Sequence, residues 1–393
     1  MTDDVIMGNR TNFEGRATGH DRGPVSLDTP LPNRAEDLTV ELLNRLVSEM
    51  NPGSTVTKVE LVEAKGLEQQ VSTAGRARLR LEYGPGSAPL PRDVVVKMVI
   101  EQPGVDSALY ETEVQIYRDV LPALGIPQIA CLGAAYEGST ERFVLLLEDL
   151  TARKPFFPLS IDKPLSPDKV AQQLSILAKL HARYWNSPDL ETMGDWLGTL
   201  LVGRQFDFLE SITVPAITQL SQDSTYRADL VARTGWTPQQ LWDGVKTTHA
   251  HHYKIFPHTL VHGDTGAHNT YHFPNGDLGF YDWQLSAVGN WAHDVHYTII
   301  ESLSIADRRE HERALVSHYL AELERNGVSD APDIETAMKG YGRAIIWGFT
   351  IGWLLCPERN YDMKIITTNL ERLFCAMCDN DTLHLVEQAS REV

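Results

Sequence analysis

No stretch of this 393-residue chain is apolar for long enough to cross a bilayer. The longest candidate, Ile345 to Leu355, is too short and is broken by Gly348 and Gly352. Cysteine is scarce. Cys131, Cys356, Cys375 and Cys378 show no disulfide framework, which argues for a reducing compartment. Basic charge is scarce as well: 35 Lys and Arg stand against 53 Asp and Glu, a formal net charge of -18. Such a chain lacks the clustered cations that a nucleic-acid backbone requires. The acidity is compatible with a cationic substrate, and at its simplest it serves solubility. The opening residues, MTDDVIMGNR, begin with acids and have no apolar segment of the secretory type. The expectation is a cytoplasmic protein with neither nucleic acid nor membrane as partner.

What is present is globular. Hydrophobic residues make up 42% and charged residues 22%, and the length suits two lobes rather than one core. Residues 1–34 are polar and rich in Gly, Pro and Asp, and read as a flexible arm. Residues 35–150 read as a small, strand-rich lobe. A helix starts near Asp37, with Leu38, Val40, Leu42, Leu43 and Leu46 as its apolar positions, and stops at Pro52 and Gly53. Strands are expected over Val56 to Val62, Gln70 to Tyr83, the run DVVVKMVI and Phe143 to Leu147, with a helix across Tyr110 to Leu121. Residues 151–393 turn helical. PDKVAQQLSILAKLHARYW carries an amphipathic stripe of Val170, Leu174, Leu177 and His181, and further helices are expected around Thr237 to Tyr253, Asp307 to Asn326 and Ile334 to Leu355. There is no internal repeat.

The chemistry concentrates between Leu260 and Asp294. His262-Gly263-Asp264 is followed by Asn269, and Asp282-Trp283-Gln284 comes after a turn at Asn275-Gly276. Alone, each residue has a plain explanation: an aspartate in a loop is usually a turn or a cap, and an asparagine an Asx turn. Together they match the demands of phosphoryl transfer, which needs an acceptor for a hydroxyl proton and oxygen ligands for magnesium. Gly263 permits a sharp turn presenting Asp264, and the three side chains are expected to meet at one edge of a small sheet. Lys97 stands among β-branched residues, where an unpaired ammonium is costly. The plain alternative is an edge-strand lysine facing solvent.

HGDTGAHN followed by YDWQ resembles the motif of the aminoglycoside phosphotransferases and choline kinases. With LAKLHARYW, HDVHYTIIESL and ALVSHYLAELERNGV, the chain resembles the ecdysteroid-kinase-like group most closely, over roughly Asp37 to Glu387. The resemblance implies an α+β, protein-kinase-like bilobal fold with a β-rich N-lobe, a larger helical C-lobe, and an ATP or GTP site between them. It implies Asp264 as catalytic base and Asn269 and Asp282 as magnesium ligands. Lys97 would contact the nucleotide phosphates, steadied by Glu113, with Glu111 as the competing partner. Glu148 to Leu150 would form the hinge behind Leu147, and Gly66, Ser72 and Thr73 the phosphate-cradling loop, though KGLEQQVSTAG is not GxGxxG. His262 and Asp294 would brace the active-site loops, while His181 reads as a satisfied core histidine. The substrate would be a small hydroxyl compound, and a homodimer is the candidate assembly. The alternative is a catalytically silent kinase-like binder of a nucleotide or metabolite. A protein kinase is disfavoured because HRD, DFG and APE are absent.

Other signals are discounted. Cys375 and Cys378 read as helix-core residues rather than half a zinc site. His249, His251, His252 and His258 read as a solvated helix. Trp347, Phe349 and Trp353 read as core. If they instead line an acceptor pocket, they favour an apolar or aromatic alcohol.

Overall fold

The computed structural model describes residues 30–65, 74–99, 107–158, 163–193 and 196–392. They fall into two compact units, 30–156 with 271–285 and 157–270 with 286–392.

The first unit is built on a five-stranded antiparallel sheet of order β1-β2-β3-β5-β4. Its strands are β1 (Val56–Lys65), β2 (Ala74–Tyr83), β3 (Asp93–Val99), β4 (Cys131–Glu137) and β5 (Arg142–Glu148). Helix α1 (Val40–Met50) begins where the Thr39 hydroxyl accepts from the Leu42 amide, and it buries Leu43, Leu46 and Val47 on one stripe. That stripe packs with Leu79, Leu81, Val94, Val96 and Leu146 in one core. Strand side chains alternate between faces, so burying Val94, Val96 and Met98 on this core turns Lys97 to the other face. There α2 (Ala108–Gln115) continues into a wider π-helical turn over Ile116–Val120.

Strand β4 has no β-branched or alternating signal; its centre is Gly133-Ala134-Ala135. The glycine has a steric purpose, because a Cβ there would stand 2.9 Å from the Leu46 side chain. Small residues let α1 lie close against the sheet.

The second unit is mostly helical. Helix α3 (Pro167–Tyr184) is capped by Ser166, and α4 (Asp189–Thr192), α5 (Arg204–Asp223), α6 (Thr225–Thr234) and α7 (Pro238–Ile255) follow. After residues 256–291 come α8 (Ala292–Ser302), α9 (Ile305–Arg325), α10 (Ile334–Trp347), α11 (Met363–Asp379) and α12 (Thr382–Ala389). Helix α8 is buried all round, which is the signature of a central helix. The helical stretch expected around Ile334 to Leu355 is helical to Leu354, but its last turns widen into a π-helix over Gly348–Leu354, where a Cβ at Gly348 or Gly352 would press on the Tyr297 ring. No described helix is long and apolar enough to cross a membrane.

Two expectations about this unit change. His249, His251 and His252 are buried, not solvated, because α10 and α12 pack against α7. His252 receives the Arg343 Nε–H at 3.3 Å, and His258 stacks on Tyr253. Burial pushes the imidazoles of His249 and His252 well below their ordinary pKa. Cys375 and Cys378 do not share a core stripe: the former is half-buried and the latter exposed, and all four thiols are free.

Candidate active site

The segment from Thr259 carries two separate two-stranded ladders rather than one small sheet. Strand β6 (Thr259–Val261) pairs with β9 (Ala287–Gly289), and β7 (Thr270–His272) pairs with β8 (Leu278–Phe280). Gly276, at a φ of 100°, reverses the chain between β7 and β8. Tyr271 and Phe273 then bury against Ile129 and Leu150, with Leu147 and Tyr281 alongside. That apolar cluster fastens the 271–285 hairpin to the sheet unit and brings Asp282 to Lys97.

Lys97 is 3% exposed. Its Nζ lies 2.8 Å from Glu113 Oε1, 2.6 Å from Glu113 Oε2 and 2.9 Å from Asp282 Oδ1. Burial opposes its charge, but the Asp282 and Glu113 carboxylates outweigh that and hold the ammonium pKa above its ordinary value. Glu113, buried on α2, is thus the lysine's partner, while Glu111 is half-exposed one turn edge away. Arg76 is the cross-strand neighbour of Lys97, and its Nη2 stands 3.7 Å from Asp282 Oδ2. Asp282 takes a φ of 64°. A non-glycine residue in the left-handed region costs energy and is held only by its surroundings. Those are the hairpin anchor on one side and Lys97 on the other.

The expected hinge ends β5. The Glu148 amide donates to Ala130 O and the Asp149 amide to Asp93 O. The Asp149 carboxylate accepts from the Thr151 amide and from Arg78. Leu150 is buried in the hairpin cluster. Gly66, Ser72 and Thr73 lie outside the described residues.

In the helical unit the His262–Asn269 loop is fixed from below by Asp294, which is fully buried on α8. One carboxylate oxygen accepts from the His262 amide at 2.7 Å and the other from the Gly263 amide at 3.0 Å. The Thr265 hydroxyl donates to Asp294 O. His181 is satisfied in the core. Its ring nitrogens face Tyr319 Oη at 2.7 Å and Asp294 Oδ2 at 3.1 Å. Gly263 has a φ of 88°, the turn expected from its lack of a side chain. The Asp264 amide then donates to His262 Nδ1, so His262 braces the loop. The Asn269 amide nitrogen donates to Asp264 O at 3.0 Å, so the side-chain oxygen is the atom that could hold a metal ion. The structure therefore gathers Lys97, Glu113 and Asp282 in the sheet unit, and Asp264 and Asn269 in the helical unit.

Burial alone would raise the Asp294 pKa; hydrogen bonding and charge from His181, with His293 and His262, hold it down at about 2 instead of 3.8. A lowered carboxylate pKa stabilises the fold above the unfolded pKa, and that stability is lost as pH falls towards the folded one. The shift corresponds to roughly 2 kcal/mol, complete near neutrality and lost between about pH 4 and pH 2. Urea unfolding of the wild type and Asp294→Asn should show a stability gap at pH 6 that narrows at pH 3. An equal gap at both pH values would remove the carboxylate from this role.

Arg76, His268 and Glu301 were not singled out in the sequence. Arg76 could be found only from the β2–β3 register. Glu301 is distant in sequence, and its acid in the apolar-looking TIIESL was the one available hint.

One unit holds an antiparallel five-stranded sheet and the other, helical unit holds the His262–Asn269 loop. The model of the ecdysteroid kinase-like family matches residues 207–327. Among solved structures, the ethanolamine kinase of Plasmodium vivax is 14% identical, with 81% of each chain covered and a TM-score of 0.48. Choline kinase LicA from Streptococcus pneumoniae is 14% identical over 86% of this chain and 98% of its own, with a TM-score of 0.43. The macrolide 2'-phosphotransferase MphH from Brachybacterium faecium is 14% identical over 86% and 98%, with a TM-score of 0.40. No curated protein sequence matches the chain.

Proposed function

We propose that this protein is a small-molecule kinase that transfers the γ-phosphoryl group of ATP or GTP to a hydroxyl of a small apolar or aromatic alcohol. The observation that carries the reading is Lys97 on β3, buried yet kept charged by Glu113 on α2 and Asp282 on the 271–285 hairpin. An ammonium so placed is expensive unless it serves an anion, and phosphate is the anion that the motif calls for. Asp264 supports the other half. Its side chain is 20% exposed while its backbone is held on both sides, so the carboxylate is presented on a rigid turn. In this reading Asp264 accepts the hydroxyl proton as the phosphoryl group transfers.

Asn269 and Asp282 supply hard oxygen donors of the kind magnesium prefers, and the hydrogen bond spent by the Asn269 nitrogen leaves oxygen for the metal. Bound magnesium would neutralise phosphate charge. Trp347, Phe349 and Trp353 are buried as core residues, so the aromatic acceptor rests on Tyr361, a half-buried ring packed on His268 of the same loop.

The test is a nucleotide-consumption screen with ATP and GTP across hydroxyl-bearing compounds, with Asp264→Asn as the blank. Asp282→Asn should weaken magnesium-nucleotide binding, measured by calorimetry, by about tenfold or more. Tight nucleotide binding with no phosphoryl transfer to any hydroxyl would instead support the silent binder.

A further inference from the structure

His268 lies within the proposed catalytic loop, one residue before Asn269, yet phosphoryl transfer as outlined gives it no task. Its Nε2 stands 3.6 Å from Asp264 Oδ1, and its Nδ1 stands 3.4 Å from Glu301 Oε2. Glu301 is 2% exposed on α8. It is gripped in turn by the Trp353 indole N–H and by the Tyr297 hydroxyl. Trp353 and Tyr361 close the edges of the His268 ring at 6.1 and 5.8 Å between centroids. Gly266 makes the approach feasible, because a Cβ there would stand 2.2 Å from Glu301 Oε2 and 2.4 Å from the His268 ring.

A buried carboxylate on a rigid helix, spanned to the proposed base by one imidazole, is more than packing requires. Burying Glu301 costs several kcal/mol unless its partners are well placed. Its side-chain partners are His268 from the loop, Trp353 from the turn that follows α10, and Tyr297 one turn earlier on α8. We propose that Glu301 is a positioning residue: acting through His268, it fixes the orientation of the Asp264 carboxylate towards the acceptor hydroxyl. This rests on the reading of Asp264 as base. The loop backbone is set by Asp294, whereas the Asp264 side chain has its own torsions, and the Glu301–His268 bracket is the device that restricts them.

The experiment is a double-mutant cycle in the full-length protein, read as nucleotide turnover. Glu301→Gln should lower kcat by about tenfold to a hundredfold with KM for the nucleotide unchanged, because misorientation of a reacting group acts on the transition state. In the Asp264→Asn background the same substitution should cost nothing further, since the group it orients is gone. Trp353→Phe removes the N–H that grips Glu301 along with part of a buried ring, and it should give a smaller loss in kcat that likewise disappears in the Asp264→Asn background. It also serves if Glu301→Gln fails to fold. Losses that multiply, or an unimpaired Glu301→Gln beside an inactive Asp264→Asn, would overturn the bracket while leaving the base assignment standing. Full turnover by Asp264→Asn would overturn the base assignment itself. Crystal structures of wild type and Glu301→Gln provide a readout without turnover. The Asp264 carboxylate should keep one conformer in the first and lose it in the second; the same single conformer in both would refute the positioning role.

Discussion

Asp264→Asn should lower turnover by about a hundredfold to ten-thousandfold, the usual contribution of a general base, while nucleotide affinity and folding stay near wild type. The separation of effects follows from how the loop is held. Asp264 contributes only its backbone to the turn: its amide donates to His262 Nδ1 and its carbonyl accepts from Asn269. The loop's framework comes from Asp294 below, through the His262 and Gly263 amides. The Asp264 carboxylate meets the His268 ring, with Oδ1 3.6 Å from Nε2, a contact that an asparagine oxygen can keep. Asparagine matches aspartate in size and keeps every backbone bond. What it cannot do is accept a proton at neutral pH. Nucleotide affinity should survive because Lys97, Glu113 and Asp282 are untouched. Steady-state kinetics and calorimetric titration of the nucleotide would test both halves. Unchanged kcat would show that the proton leaves by another route. A parallel collapse of nucleotide binding would show that Asp264 holds ligand rather than proton.

Much of this could be read from the sequence, and the reasons differ by residue. Gly263, Asp264 and Asn269 were legible because the chemistry of a tight loop is local. A glycine at positive φ, a presented carboxylate and a capping amide all lie within a few residues. Lys97 was legible because an ammonium among Val94, Val95 and Val96 contradicts the hydrophobic pattern unless something pairs with it. Glu113 rather than Glu111 follows from helical facing. Strand β4 was invisible, since Gly133-Ala134-Ala135 records close approach of α1, a tertiary fact, and not strand propensity. The three buried histidines of α7 were misread for a related reason. Their polarity suggested solvent, but α10 and α12 cover that face, and only the fold shows it. The helical reading of Ile334 to Leu355 could not show the π-helical widening at Gly348–Leu354. The actual service of Gly348 and Gly352 is to admit the Tyr297 ring. Glu301 sits at the far end of this scale, because its meaning depends on His268 and Trp353 meeting it from separate segments.

Lys97→Met should abolish turnover and also destabilise the sheet unit, and the second effect tests the electrostatics more directly than the first. Methionine fills most of the volume, so the cost is not a cavity. It is the charge left behind. Glu113 is 1% exposed and lies against the same ammonium as Asp282. Removing one member of a buried ion pair costs about 3–5 kcal/mol. Arg76 relieves little of it, at 3.7 Å from Asp282 and on a partly exposed side chain. Two consequences separate this account from simple loss of packing. First, adding Glu113→Gln to Lys97→Met should restore much of the stability and none of the turnover, because the amide has no charge to strand. Second, in the single variant the stranded Glu113 would have a folded pKa above its unfolded value. Such a group binds a proton more readily in the folded state, so the penalty should shrink as pH falls towards 5 and grow as pH rises. Urea unfolding of the wild type, the single and the double variant at pH 5 and pH 8 would read both. If the double variant is less stable than the single at both pH values, the Lys97 network is held by packing, and the ammonium is not the centre of charge on which the phosphate reading depends.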